Sequence, residues 1–180
     1  MQAYSLVPHQ AHPPDAVTSV EAKIGVANEH WLTARWRIEG SAKLVLPKPA
    51  GSKRMVGLWQ TTCFELFVQP DGRGGYYELN LSPSERWNLY GFDAPRTGMR
   101  EEVTDRRPVC TMRPGSRFAI FDAAIPRAMF PDAKSDLGIA AVIEEEGGTK
   151  SFWALDHAGE APDFHDPACF TARLDPRLPS

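Results

Sequence analysis

Glu65, Glu78, Asn80, Arg86 and Asn88 fall at alternate positions within three short runs of one 30-residue segment, Cys63 to Phe92, with Tyr76 and Tyr90 interleaved. Carboxylates, amides and a guanidinium are the groups that hold vicinal hydroxyls by paired hydrogen bonds, and aromatic rings offer flat surfaces to the C–H faces of a sugar. Lysine, the usual solvated residue of an exposed strand, is absent from the segment. The pattern therefore points to recognition of a saccharide or similar small polar ligand on a sheet face. Glu65 and Glu78 also form a carboxylate pair of the kind that glycoside hydrolysis uses. A shallow sheet face does not isolate an acid from water and so does not raise its pKa, which places hydrolysis second.

These side chains share a face only if the backbone is extended. "CFELFVQPDGRGGYYELNLSPSERWNLYGF" alternates with period two, and "PDGRGG" and "PSE" break it into three strands. The turns predict Phe67 opposite Glu78 and Glu65 opposite Asn80 in the first hairpin, then Asn80 opposite Asn88 and Glu78 opposite Tyr90 in the second. One face then carries Phe64, Leu66, Val68, Tyr77, Leu79, Leu81, Trp87 and Leu89, a core set. The other carries the polar and aromatic groups, because a one-residue slip would bury them. An alternative is that loops cover this second face and its groups satisfy one another, Arg86 pairing with Glu65.

The remaining chain supports the same architecture. Its 180 residues suit one domain. Period-two or apolar runs at 17–27, 31–40, 42–47, 117–126, 136–145 and 150–157 read as further strands. Pro108 marks 103–113 as an edge strand, 127–134 holds one short helical turn, and a last strand lies near 170–174. This predicts an all-β antiparallel β-sandwich, immunoglobulin-like or jelly-roll-like, of the carbohydrate-binding-module type, with few or no helices. Residues 1–16, rich in proline and histidine, read as a loose arm, 17–175 as the domain and 176–180 as a tail.

Composition excludes several classes. A net charge of −3 disfavours nucleic acid, and no apolar run reaches the roughly 20 residues of a membrane helix. No basic-then-apolar start marks a signal peptide. Cys63, Cys110 and Cys169 are odd in number, far apart and lack a CxxC pair, which fits a reducing, cytoplasmic setting. "DHAGEAPDFHDPACF" gathers His157, Asp163, His165 and Asp166, but its spacing matches no metal motif. Side chains capping the loop's own backbone explain it better. "EEEGG" reads as a solvated hairpin tip, and "DGRGG" lacks the helix a phosphate loop needs. No cofactor, metal or catalytic residue is expected. The oligomeric state is not specified.

"LWQTTCFELFVQPDG" and "GYYELNLSPSERWNLYGFDAPRTGM" resemble the DOMON-like domains related to family 9 carbohydrate-binding modules, and "SFWALDHAGEAPDFHDPACF" resembles the end of bacterial DOMON-like proteins. The resemblance implies a β-sandwich with a ligand site on one sheet. It also implies two tryptophans clamping terminal sugar units, parts that Trp59 and Trp153 could take by position, although Trp153 shares parity with core positions. Distant relatives bind haem through Met and His, and family 9 modules hold calcium. No Met/His pair and no dense carboxylate loop matches here. The reading is a non-catalytic binding module whose ligand residues are Trp59, Glu65, Tyr76, Glu78, Asn80, Arg86, Asn88, Tyr90 and Trp153. Alternatives are a glycoside-processing or metal-dependent enzyme, a haem-binding domain or a protein-interaction domain.

Overall fold

The computed structural model describes residues 1–175, and the expected tail at 176–180 lies outside them. Twelve strands, all paired antiparallel, curl into a β-sandwich. One layer runs β8 (Val109–Arg113), β9 (Phe118–Pro126), β3 (Trp31–Glu39), β2 (Ser19–Val26) and β1 (Gln2–Pro8). The other runs β7 (Arg100–Glu101), β6 (Trp87–Phe92), β5 (Tyr76–Leu81), β4 (Cys63–Pro70), β10 (Ser135–Glu145) and β11 (Thr149–Ala154). β12 (Ala172–Leu174) pairs with the start of β10. Among the described residues the only helical segments are 3-10 turns such as Leu58–Gln60 and Arg127–Met129.

β1 joins the layers. Its residues 2–6 pair with β2, and Val7 and Pro8 pair with β11. Residues 1–16 are therefore not a loose arm. The Tyr4/Leu6 alternation inside "QAYSLVP" is short, and the prolines and histidines after it mask it. Between the layers the inward positions interlock. Phe64 stacks on Phe121 at 4.3 Å and 14°, and Trp36 lies 5.2 Å from Phe64. Each such buried side chain contributes about 2 kcal/mol. All eight residues predicted for the inner face of β4–β6 join this core, Tyr77 only partly buried.

Two further expectations differ. Residues 42–47 form no strand. Gly40 turns at φ 74°, where an added Cβ would meet the Ala16 carbonyl at 2.3 Å, and a 3-10 turn Ser41–Lys43 follows. Leu44 then makes a single bridge to Glu145. The "EEEGG" tip is not wholly solvated either. Glu145 is fully buried, and its carboxylate accepts from the backbone N–H groups of Asp15 (2.8 Å), Ala16 (2.7 Å) and Val17 (3.0 Å). It thereby fastens the segment that leads from β1 into β2.

Replacing Glu145 by Ala orphans three backbone donors. It is expected to destabilise the protein by about 2–3 kcal/mol, read as a lower urea midpoint with unchanged slope. An unchanged midpoint would remove this carboxylate from the set of interactions that hold the fold.

Candidate functional site

The ladders of β4, β5 and β6 have the predicted register: Glu65 faces Asn80, Phe67 faces Glu78, Asn80 faces Asn88 and Glu78 faces Tyr90. The outer side of this sheet is not an open platform. Residues 155–171 lie across it, and Phe170 stacks on Phe67 at 5.6 Å and 20°. Gly138 of β10, paired with Phe67, makes this possible, since a Cβ there would stand 2.6 Å from the Phe170 ring. Phe67, Tyr76, Tyr90, Phe92, Cys169 and Phe170 form a second apolar cluster, separate from the core between the layers.

Part of the face stays uncovered. β10 presents only Ala140 beside Glu65 and Val142 beside Cys63, opposite long side chains on β4 and β5. The difference in length leaves a recess of about 500 Å³, within the range of small-ligand sites. Glu65 and Glu78 line it, with Trp59, Phe92, Phe152 and Phe164 as aromatic walls and Arg96 and His165 among its polar groups. Trp59 is 43% exposed, which leaves its ring free to meet a guest.

The electrostatics are unusual. Glu65 is 3% exposed and Glu78 5%. Burial, then the charge of Glu78, pushes the Glu65 carboxyl well above its ordinary range, and Arg96 counters only in part. Burial pushes Glu78 up to about 7, against the pull of Asn80 and Arg96. Glu65 makes no hydrogen bond or ion pair among the described residues. Asn80 is fully buried, and neither of its amide atoms has a hydrogen-bond partner, although the amide lies near enough to restrain Glu78. His165 Nδ1 lies 2.7 Å from the Tyr76 hydroxyl, and Nε2 lies 3.5 Å from Glu78 Oε2. Burial, then Arg96, lowers His165 to about 4, so it is neutral near pH 7 and its contact with Glu78 is not an ion pair there. The Arg96 backbone N–H donates to the Tyr76 hydroxyl at 3.1 Å, and its guanidinium donates to Asp163 at 2.9 Å.

The expected site residues divide into groups. Trp59, Glu65 and Glu78 meet at the recess, Tyr76 supports His165 beneath it, and Asn80 lies opposite Glu65. Asn88 and Tyr90 belong to a separate buried network. Asn88 Nδ2 donates to the Tyr90 hydroxyl (2.8 Å) and to Glu101 (3.0 Å), and its Oδ1 accepts from Arg54 (2.8 Å). Arg86, expected as a ligand residue, sits in the turn before β6, two strands from Glu65, and the pairing of the two under the alternative reading is not formed either. Trp153 is 2% exposed and packs between the layers, with Nε1 donating to Ser151 at 2.8 Å. It cannot clamp a guest, because its parity turns it inward. Phe152, one residue earlier, is the aromatic residue that β11 supplies to the recess.

Sequence reasoning also missed Arg96 as a recess residue. It follows a strand of the site in "DAPRTGM" and takes a left-handed φ of 55°. In the 157–166 loop, Asp163 and Asp166 accept from the backbone N–H groups of His165 and Ala168. His157 reaches the Val7 carbonyl. No group of three or more His, Cys, Asp or Glu among the described residues is disposed to hold a metal.

No family model matches this sequence, and no curated protein matches it. Three solved structures are similar in fold. One is a proposed carbohydrate-binding protein from Bacteroides uniformis, at 17% identity and TM-score 0.67, over 94% of this chain and 84% of that one. Two are family 9 carbohydrate-binding modules from Caldicellulosiruptor kristjanssonii. The complex with glucose has 11% identity and TM-score 0.51 over 93% and 81% of the two chains. The complex with cellotriose has 12% and 0.53 over 92% and 79%. At these identities the likeness establishes the fold, a β-sandwich of the carbohydrate-binding-module type.

The raised carboxyls set a pH signature. Glu78 holds its proton more tightly folded than unfolded, so its contribution to stability is complete below about pH 4.5 and falls away through about pH 7. Glu78→Gln, which is neutral throughout, is expected to match the native protein in melting temperature below about pH 4.5, to exceed it increasingly as pH rises to about 7, and to keep a constant margin above that. Parallel curves across that range would show that the burial does not act on Glu78 as described.

Proposed function

We propose that the protein is a non-catalytic binding module for a saccharide, held in the recess on the outer side of the β4–β5 ladder. One observation carries this reading: two almost fully buried carboxyls open onto a cavity with aromatic walls, and Glu65 has no donor among the described residues. Ring hydroxyls supply donors of that kind, and Trp59 offers a flat apolar surface at the mouth. That family 9 module structures of the same fold are complexes with glucose and with cellotriose agrees with the reading.

Titration with glucose and cellotriose is expected to change tryptophan fluorescence. Trp59→Ala is expected to weaken binding by about 1–2 kcal/mol without lowering the melting temperature. Absence of any heat or fluorescence change with a panel of mono- and oligosaccharides would overturn the reading.

Glycoside hydrolysis is a second reading, favoured by the raised pKa of Glu78. The expectation that a sheet face leaves its acids in water does not hold here, because residues 155–171 bury them. Glu65 and Glu78 are diagonal neighbours on adjacent strands, with Cβ atoms roughly 7 Å apart, a distance compatible with paired-carboxyl chemistry. Nitrophenyl glycosides test it. Turnover abolished by Glu78→Gln would make the protein an enzyme, and no turnover with sugar binding intact leaves it a module.

A further inference from the structure

The recess has two acids and no free counter-charge. The cation on its lining, Arg96, is engaged by Asp163 at 2.9 Å, and its side chain is 62% exposed. Three other titratable groups nearby, His165, Tyr76 and Cys63, do not supply the missing charge. His165, on the covering loop, is held neutral near pH 7 by burial and by Arg96. The Tyr76 hydroxyl is occupied by His165 and the Arg96 N–H. Burial keeps the Cys63 thiol protonated. His12, on the loop after β1, is exposed and lies edge-on to Phe152, with ring centroids 5.0 Å apart.

A neutral hydroxyl could satisfy one lone pair of Glu65 but brings no positive charge to a place where two carboxyls face no free cation. An ammonium group brings three donors and a full charge to the same place. The walls suit it too, because Trp59, Phe92, Phe152 and Phe164 line the same recess as the acids, and aromatic faces attract cations by about 0.5–2 kcal/mol. We infer that the preferred guest is a saccharide bearing a free, protonated amino group, with its ammonium seated at Glu65 and Glu78. This inference rests on the saccharide reading above and narrows it to amino sugars. Binding such a cation draws the Glu65–Glu78 pair toward its ionised form, so complex formation releases protons near neutral pH.

The test compares three trimers that differ in one substituent on each ring: the glucosamine trimer, the N-acetylglucosamine trimer and cellotriose. Calorimetry in two buffers of different ionisation enthalpy gives affinity and proton release together. The glucosamine trimer is expected to bind about tenfold more tightly than cellotriose, with proton release that cellotriose lacks. In Glu65→Gln/Glu78→Gln the ratio of the two affinities is expected to fall to about one, whatever the variant does to the affinity for cellotriose itself. The melting temperature of that variant shows that it is folded. Equal affinities, or an N-acetylated or cellotriose preference, overturn the ammonium inference and leave saccharide binding standing. No binding of any trimer overturns both.

Discussion

The parity of the β4–β5–β6 ladder is the constraint on which core and site both depend. Side chains alternate strictly across a strand, so fixing Glu65 opposite Asn80 sends Phe64, Leu66, Leu79 and Leu81 inward together and Glu65, Glu78 and Asn80 outward together. A slip of one residue would place two carboxyls and an amide against Phe121 and Trp36. The core therefore pins the register, and the register presents the recess residues as a rigid set. They sit on central strands, which hold side-chain geometry better than loops do.

The recess arises from a difference in side-chain length. β10 lies beside β4 and carries Gly138, Ala140 and Val142 on its outer face, so the floor is low there and higher over β4 and β5. At Gly138 the space is taken by Phe170, which anchors the covering loop. Beside Val142 it stays open, bounded by Phe152, Phe164 and Trp59. One strand thus both docks the cover and leaves the cavity under its edge. The cover excludes enough water to raise the carboxyl pKa values, as an uncovered sheet would not.

What could be read from the sequence follows the same division. Facing parity and hairpin pairing follow from period-two alternation and from turn residues, so the strands of the site, both of their faces and the register at Glu65, Glu78, Asn80 and Asn88 were legible. Contacts between a loop and a sheet carry no periodicity. That is why a covering loop could be named only as an alternative, and why its identity as residues 155–171, the place of Arg96 and the separate Arg54–Asn88–Glu101 network were not legible. Trp153 and Phe152 are the instructive pair. Choosing the larger aromatic by likeness to a clamp placed it on the wrong side, whereas counting alternation back from the core would have selected Phe152. β1 was lost for the opposite reason, because its two inward residues are too few to stand out from the prolines around them.

Glu145 and Glu65 lie in the same layer, both nearly inaccessible to solvent, and their surroundings differ sharply. Glu145 receives three backbone N–H groups within 3.0 Å, so its burial is compensated by the fold itself. Glu65 receives none, and the adjacent Asn80 amide is equally without partners. A buried polar group without a partner costs about 1–3 kcal/mol, more if charged, and this chain shows at Glu145 that it can supply donors to a carboxylate. The same strands would have accepted apolar residues at 65 and 80, as they do at Phe64 and Leu81, with no such penalty. Stability alone therefore gives no reason for Glu65 and Asn80. Glu65 lines the cavity, so a donor entering there from outside the chain would lower its cost, whereas Asn80 is sealed away from the cavity.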